Sequence, residues 1–437
     1  MRRLSTLRTV LVAGFTLAIL SLAGFAVSQM LALPAHPSTA ITPQGLLSRR
    51  FDDSAPNAAQ VRRGQYLVAA GDCISCHLRA GGEPFAGGLG LNTPFGVIYT
   101  SNITPDPGSG IGAWSSDQFY RAMHDGKDAQ GKDLYPAFPY PWFRRVSRED
   151  DDAIFAYLMT LPAINYTPPK NELSFPLNFR SFVGAWNMLF LDSHNFQSDP
   201  GQSAEWNRGA YLVNGLGHCG TCHTPKNLLG GDKSAAPLSG AAVVGWYAPP
   251  LDSSVRTGLG AWRIEDVVSY LKTGWGGGQA ATGTMALVVA NSTSQLADAD
   301  LRSIAVYLKD IAAPAQAPAP LDKTSAVMRS GKALYSANCS ACHTSTGEGV
   351  AGLAPTLANS PIVQSASTDT LLDVVLNGAQ AVATDAAPTA PGMPAFGWQL
   401  SDEQIAALLT YVRNDWGNAG SAVAASDVHS IRAHHAD

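Results

Sequence analysis

A mainly α-helical chain of three tandem domains behind an N-terminal hydrophobic helix is what this 437-residue sequence predicts. Three observations carry that expectation. The pentapeptide Cys-x-x-Cys-His recurs as Cys73–His77, Cys219–His223 and Cys339–His343, and together the copies use all 6 cysteines. Each copy follows a short helical stretch containing Gly and Tyr: Gly64-Gln65-Tyr66-Leu67, Gly209-Ala210-Tyr211-Leu212 and Gly331-Lys332-Ala333-Leu334-Tyr335. Each is answered downstream by an amphipathic stretch that includes Tyr157, Tyr307 or Tyr411. A period of roughly 100 to 150 residues indicates tandem domains rather than a solenoid.

The elements follow in order. Arg2, Arg3 and Arg8 precede an uncharged run from about Thr9 to Ser28, so residues 1–35 read as an export or anchoring segment. Ala26-Val27-Ser28 would suit a signal peptidase. A run of about 20 apolar residues is also long enough to span a bilayer. Because it continues through Met30 to Leu33, a retained anchor is the favoured reading. His36 to Asn57 is a Pro-, Ser- and Ala-rich tether, and residues 58–165 form the first domain.

The first closing helix starts at Ser147-Arg148-Glu149-Asp150, the second at Ala297-Asp298-Ala299-Asp300 and the third at Ser401-Asp402-Glu403-Gln404. Acids in the first turn suit the helix dipole, and Ser at the cap satisfies an open N–H. Apolar residues at three- and four-residue spacing then give each helix one buried face. Residues 166–203 form a connector too apolar for a solvated linker, with Phe175, Phe179, Phe182, Trp186, Met188, Leu189 and Phe190. It either packs over the first two domains or offers a docking surface to a partner subunit or the membrane. The second domain spans 204–312, a stiff Pro/Ala linker 313–324, the third domain 325–417 and a tail 418–437. His429, His434 and His435 lie in that tail, which reads as a solvated, mobile end rather than a metal site.

Cys-x-x-Cys-His is the attachment sequence of a c-type haem: the thiols add across the porphyrin vinyl groups, and the adjoining His turns onto the iron. A zinc ribbon, a redox pair or scattered disulfides would not require His after every second Cys. The expectation is three covalent haems c, held by Cys73, Cys76 and His77, by Cys219, Cys222 and His223, and by Cys339, Cys342 and His343. Opening helix, motif and closing helix with Tyr make the outline of a class I cytochrome c domain. A charged fraction of 14% and a net charge of −5 give no reason to expect nucleic acid as a partner.

Electron-carrying c haems usually take Met as second axial ligand, which raises the potential. Of the 8 Met, Met393 in Pro391-Gly392-Met393-Pro394 and Met285 in Gly283-Thr284-Met285 stand shortly before their closing helices. The corresponding place in the first domain is Phe138, which cannot ligate iron. The nearest donors are Met123 and His124; Met123 is preferred, with His124 or an open iron as alternatives. Met30, Met188 and Met328 read as apolar filler. His218 reads as a surface or packing residue rather than a propionate contact.

These motifs, with Leu134-Tyr135-Pro136-Ala137, the 171–190 connector and Pro391-Gly392-Met393-Pro394, resemble the triple-haem cytochrome c subunit of bacterial membrane-bound periplasmic dehydrogenases. The resemblance covers essentially the whole chain. It implies a subunit on the periplasmic side of the inner membrane that takes electrons from a catalytic partner and passes them to ubiquinone. That partner would carry a quinone, a flavin, or molybdenum with iron–sulfur clusters, and substrate oxidation would occur there rather than on this chain. Phe138, where the alcohol dehydrogenase branch has Met, makes the chain look more like the molybdenum–iron–sulfur branch typified by aldehyde dehydrogenase. The rival functions are a multi-haem peroxidase and a haem c subunit of a terminal oxidase.

Overall fold

The computed structural model describes residues 54–192, 194–243, 245–313 and 321–434. The hydrophobic helix expected over 1–35, Met30 within it, lies outside the described residues, as do most of the Pro/Ala linker and His435. Among those described, no helix is long and apolar enough to cross a membrane.

The first unit opens with helix α1 (Ala58–Ala70), which buries Val61, Leu67 and Val68. The haem motif follows as a single helical turn, Cys73–Cys76. A hairpin of β1 (Gly90–Thr93) and β2 (Gly96–Tyr99) leads to α2 (Ser116–Asp125) and the closing helix α3 (Arg148–Leu158). The Ser147 side chain accepts from the Asp150 N–H and starts α3.

Helix α1 crosses α3 at Gly64, where a Cβ would stand 1.8 Å from the Ala153 carbonyl oxygen. Only glycine permits that approach. The same crossing recurs at Gly209 against Ser303 and at Gly331 against Ala407, with Tyr157, Tyr307 and Tyr411 beside the three glycines.

The connector divides its loyalties. Its strand β3 (Glu172–Leu173) extends the first unit's sheet in the order β1-β2-β3, all antiparallel. Its helix α4 (Ser181–Phe190) buries Val183, accepts from Tyr140 Oη at Asn187 Oδ1 (2.5 Å), and donates from Trp186 Nε1 to the Leu229 carbonyl (2.9 Å). The connector's outer face exposes Phe175, Phe179, Phe182 and Leu189. Met188, expected as filler, is 89% exposed, because it lies on the side of α4 that no other described element covers. Met328 is buried as expected.

The second unit repeats the plan: α5 (Ala204–Tyr211), the motif turn Gly220–His223, the hairpin β4 (Ala241–Val243) and β5 (Trp246–Ala248), then α6 (Ile264–Thr273), α7 (Gly283–Asn291) and the closing helix α8 (Asp298–Asp310). The third has α9 (Ala326–Asn338), the motif turn, α10 (Asp369–Asn377) and the closing α11 (Asp402–Val412).

The tail corrects the expectation of a mobile end. Residues Ala425–His434 form α12, which seats Val428 fully buried against the third unit. Arg432 pins it by donating to Asp402 (2.8 Å) and to the Leu400 carbonyl (2.9 Å). Its many Ala and Ser residues masked an apolar stripe of Val428 and Ile431 at helical spacing.

Burial is organised in two large apolar cores and one small one. One continuous apolar cluster runs through the first two units, joining Leu67, Ile74 and Ile154 to Leu212, Leu301 and Ile304. The third unit has its own core around Tyr335, Leu372, Ile405 and Tyr411. It meets the second through the small cluster of Ala281, Val289 and Val382 and through hydrogen bonds from Tyr247 N to Thr370 Oγ1 (2.8 Å) and from Thr356 N to the Gly278 carbonyl (2.8 Å).

Candidate haem sites

The three histidines of the motifs are held alike. Nδ1 of His77 donates to the Ser101 carbonyl (2.6 Å), that of His223 to the Pro249 carbonyl (2.7 Å), and that of His343 to the Pro355 carbonyl (2.9 Å). In the first two units that carbonyl comes just after the hairpin, so β1–β2 and β4–β5 place the acceptor. An imidazole that gives its Nδ1 proton to a fixed acceptor keeps its lone pair on Nε2, the form and orientation required of an iron ligand. Burial holds all three below the ordinary histidine range, outweighing the opposing effect of the carbonyl bond. Sequence reasoning did not find these carbonyls, because a backbone acceptor leaves no residue-type signal.

None of the six thiols is in a disulfide. Burial pushes Cys73, Cys76 and Cys219 up to about 12, and Cys339 to about 11. A catalytic redox pair has a depressed thiol, the opposite of the direction in these four. Among the described residues no three His, Cys, Asp or Glu side chains converge as a metal cage. Two thiols followed by an imidazole presenting Nε2 is the donor set that fits a covalently attached haem.

The distal candidates occupy different settings. Met285 is half-buried on α7, packed against the core shared by the first two units. Met393 is half-buried in a two-residue strand, Gly392–Met393, against the third unit's core. Met123 is buried on α2 in the cluster that contains Ile74 of the first motif. Phe138 packs against the same cluster, its ring 5.6 Å from that of Phe143.

His124 is committed elsewhere. Its Nε2 meets Asp151 Oδ2 at 2.9 Å, and its ring stacks on Tyr120 at 3.9 Å. Burial pushes the Asp151 carboxyl up to about 6 against the pull of that imidazole. His218 has the packing role expected: it donates from Nε2 to the Gly71 carbonyl (3.3 Å) and sets its edge against Phe143.

Residues 328–416 match the cytochrome c family. The chain is 39% identical to the gluconate 2-dehydrogenase cytochrome c subunit of Pantoea cypripedii, over 87% of this chain and 91% of that one. It is 38% identical to the cytochrome c subunit of the quinone alcohol dehydrogenase of Komagataeibacter europaeus, over 86% and 85%. One subunit of the nicotinate dehydrogenase of Pseudomonas putida is 41% identical over 82% of this chain, and the match spans only 30% of that longer protein.

Proposed function

Because the chain belongs to the family of cytochrome c subunits of gluconate, alcohol and fructose dehydrogenases, we propose that it is a three-haem relay serving a catalytic dehydrogenase subunit. It would take electrons from aldehyde or alcohol oxidation on that partner and deliver them to membrane ubiquinone on the periplasmic side of the inner membrane. Phe138 in place of a methionine favours a molybdenum–iron–sulfur partner over a quinone or flavin one.

The observation that carries this reading is the threefold repetition of one ligand geometry, with His77, His223 and His343 each locked by a backbone carbonyl. Bound haem supplies one-electron redox chemistry. The chain's residues supply the rest. Cys73 with Cys76, Cys219 with Cys222, and Cys339 with Cys342 would tether the groups through thioethers. Met123, Met285 and Met393 would supply the sulfur of the second ligand. The apolar clusters exclude water and favour the reduced state. The uncovered apolar face of the connector supports attachment to the partner subunit or the membrane.

The test is to purify the chain with its native partners and identify the large subunit that accompanies it. Substrate-dependent reduction of a ubiquinone analogue by that complex, lost when this chain is removed, is the expected result. Rapid peroxide turnover by the chain alone, or a copper–haem oxidase as companion, would overturn it.

A further inference from the structure

The first two units are interlocked by two reciprocal bridges. Tyr66, on the opening helix of the first, donates to Asp300 Oδ2 at the start of the second unit's closing helix (2.7 Å). Tyr211, on the opening helix of the second, donates to Asp150 Oδ2 at the start of the first unit's closing helix (2.6 Å). Each hydroxyl also accepts from a backbone N–H: Tyr66 from Ala297 (3.1 Å) and Tyr211 from Ser147 (3.0 Å). Each carboxylate is steadied from within its own unit, Asp150 by Arg63 (2.5 Å) and Asp300 by Arg208 (2.7 Å). The arrangement is an internal quasi-twofold contact, in which residue i of one half meets residue j of the other and j meets i.

The third unit shows what this contact replaces. At the corresponding positions it has Ser330 for the arginine, Ala333 for the tyrosine and Gln404 for the aspartate. There Gln404 Oε1 accepts from the Ser401 N–H (2.8 Å) and closes the capping box within one helix. In α3 and α8 the cap N–H and the third-residue carboxylate are instead bridged by the other unit's tyrosine. The box is split across the interface, and only the first two units, joined by the large common core, carry its parts.

The same interface brings the two haem motifs together. Asn291 donates to Ser75, which lies between Cys73 and Cys76 (2.8 Å). Trp142 of the first unit packs on Gly220, which lies between Cys219 and Cys222. His218 reaches the Gly71 carbonyl.

We propose that Tyr66–Asp300 and Tyr211–Asp150 are positioning pairs that fix the first two haem sites in one mutual orientation, making them a coupled unit to which the third is joined without such pairs. This rests on each motif carrying a haem. Electron exchange between the first two sites then depends on side chains that touch neither iron.

The test uses the full-length, haem-loaded chain with both aspartates converted to the third unit's solution, Asp150→Gln with Asp300→Gln. Each glutamine can then accept from the cap N–H of its own helix, as Gln404 does, while both cross-unit bridges are lost. Circular dichroism in the Soret band reads the mutual orientation of neighbouring haems through its paired positive and negative lobes. The expected result is loss of that paired signal and slower equilibration between the first two sites after flash reduction, with haem content per chain unchanged. A haem-loaded variant with wild-type Soret dichroism and equilibration would overturn the proposal. Tyr66→Phe with Tyr211→Phe, which keeps both rings and both caps' acids, gives the same reading if the first variant does not accumulate. Fewer than three haems in the wild-type chain would instead defeat the three-haem reading, a distinct outcome seen before any variant is made.

Discussion

Gly64 faces the carbonyl oxygen of Ala153 so closely that a Cβ would come within 1.8 Å of it, and Tyr157 Cβ lies just beyond at 2.9 Å. The obstacle is helix backbone, which cannot swing aside as a flexible side chain would. Gly64→Ala should therefore force α1 and α3 apart and destabilise the first unit by about 3 kcal/mol, the upper end of ordinary overpacking. Gly209→Ala and Gly331→Ala, at 1.9 and 2.2 Å from their carbonyls, should act alike. Thermal unfolding of the haem-loaded variants checks this; wild-type midpoints would contradict it.

Asp300 gives the interlock a pH dependence. Burial alone would raise its pKa, but hydrogen bonds from Arg208 and Tyr66 more than offset that and hold it below the ordinary carboxylate range. A depressed folded-state pKa stabilises the fold above the unfolded value of about 4, and the contribution is lost as pH falls through the lower folded value. The stability gap between wild type and Asp300→Asn should be widest at neutral pH and close in acid. Denaturant titrations of the two proteins at several pH values measure it, and a gap that widens in acid would have the sign wrong.

The methionines make separable predictions. Met393→Ala and Met285→Ala should each remove one site's share of the long-wavelength absorbance of Met-ligated ferric haem and lower that site's potential, since thioether ligation raises it. Met123→Ala should do the same for the first site. An unchanged spectrum after that substitution alone would show that the first iron takes its distal ligand elsewhere or has none.

Arg413 is 1% exposed, and its guanidinium is held by carbonyls. It donates to those of Val363 (3.0 Å), Ser365 (3.1 Å) and Ser421 (3.0 Å). Arg413→Met would leave the buried Val363 and Ser365 carbonyls unpaired, at about 1–3 kcal/mol for each one that water cannot reach. The third unit should unfold at lower denaturant, and proteolysis should release its C-terminal segment sooner, while the first two units are unaffected.

What could be read from the chain was local. The haem motifs are contiguous, Ser147 and Ser401 announce their helices a few residues ahead, and glycine with tyrosine marks the helix crossing in every unit. What could not be read was remote or carried by backbone. Tyr66 and Asp300 are 234 residues apart, and nothing in either neighbourhood names the other. The carbonyls of Ser101, Pro249 and Pro355 have no side-chain signature. The C-terminal helix was hidden by composition, because Ala and Ser are common in mobile ends and in helices alike. Phe138 was visible as a departure from the pattern. The engagement of neighbouring His124 by Asp151 appeared only once α2 and α3 were side by side.

The central claim is that each of the three motifs holds a haem by two thioethers and one imidazole. Pyridine haemochrome titration of the mature chain, set against its protein concentration, counts covalent porphyrins directly. Three per chain, resistant to extraction by acidic acetone, is the expected count. A count of one or two, or zinc or cystine found at Cys73, Cys219 or Cys339, would contradict it.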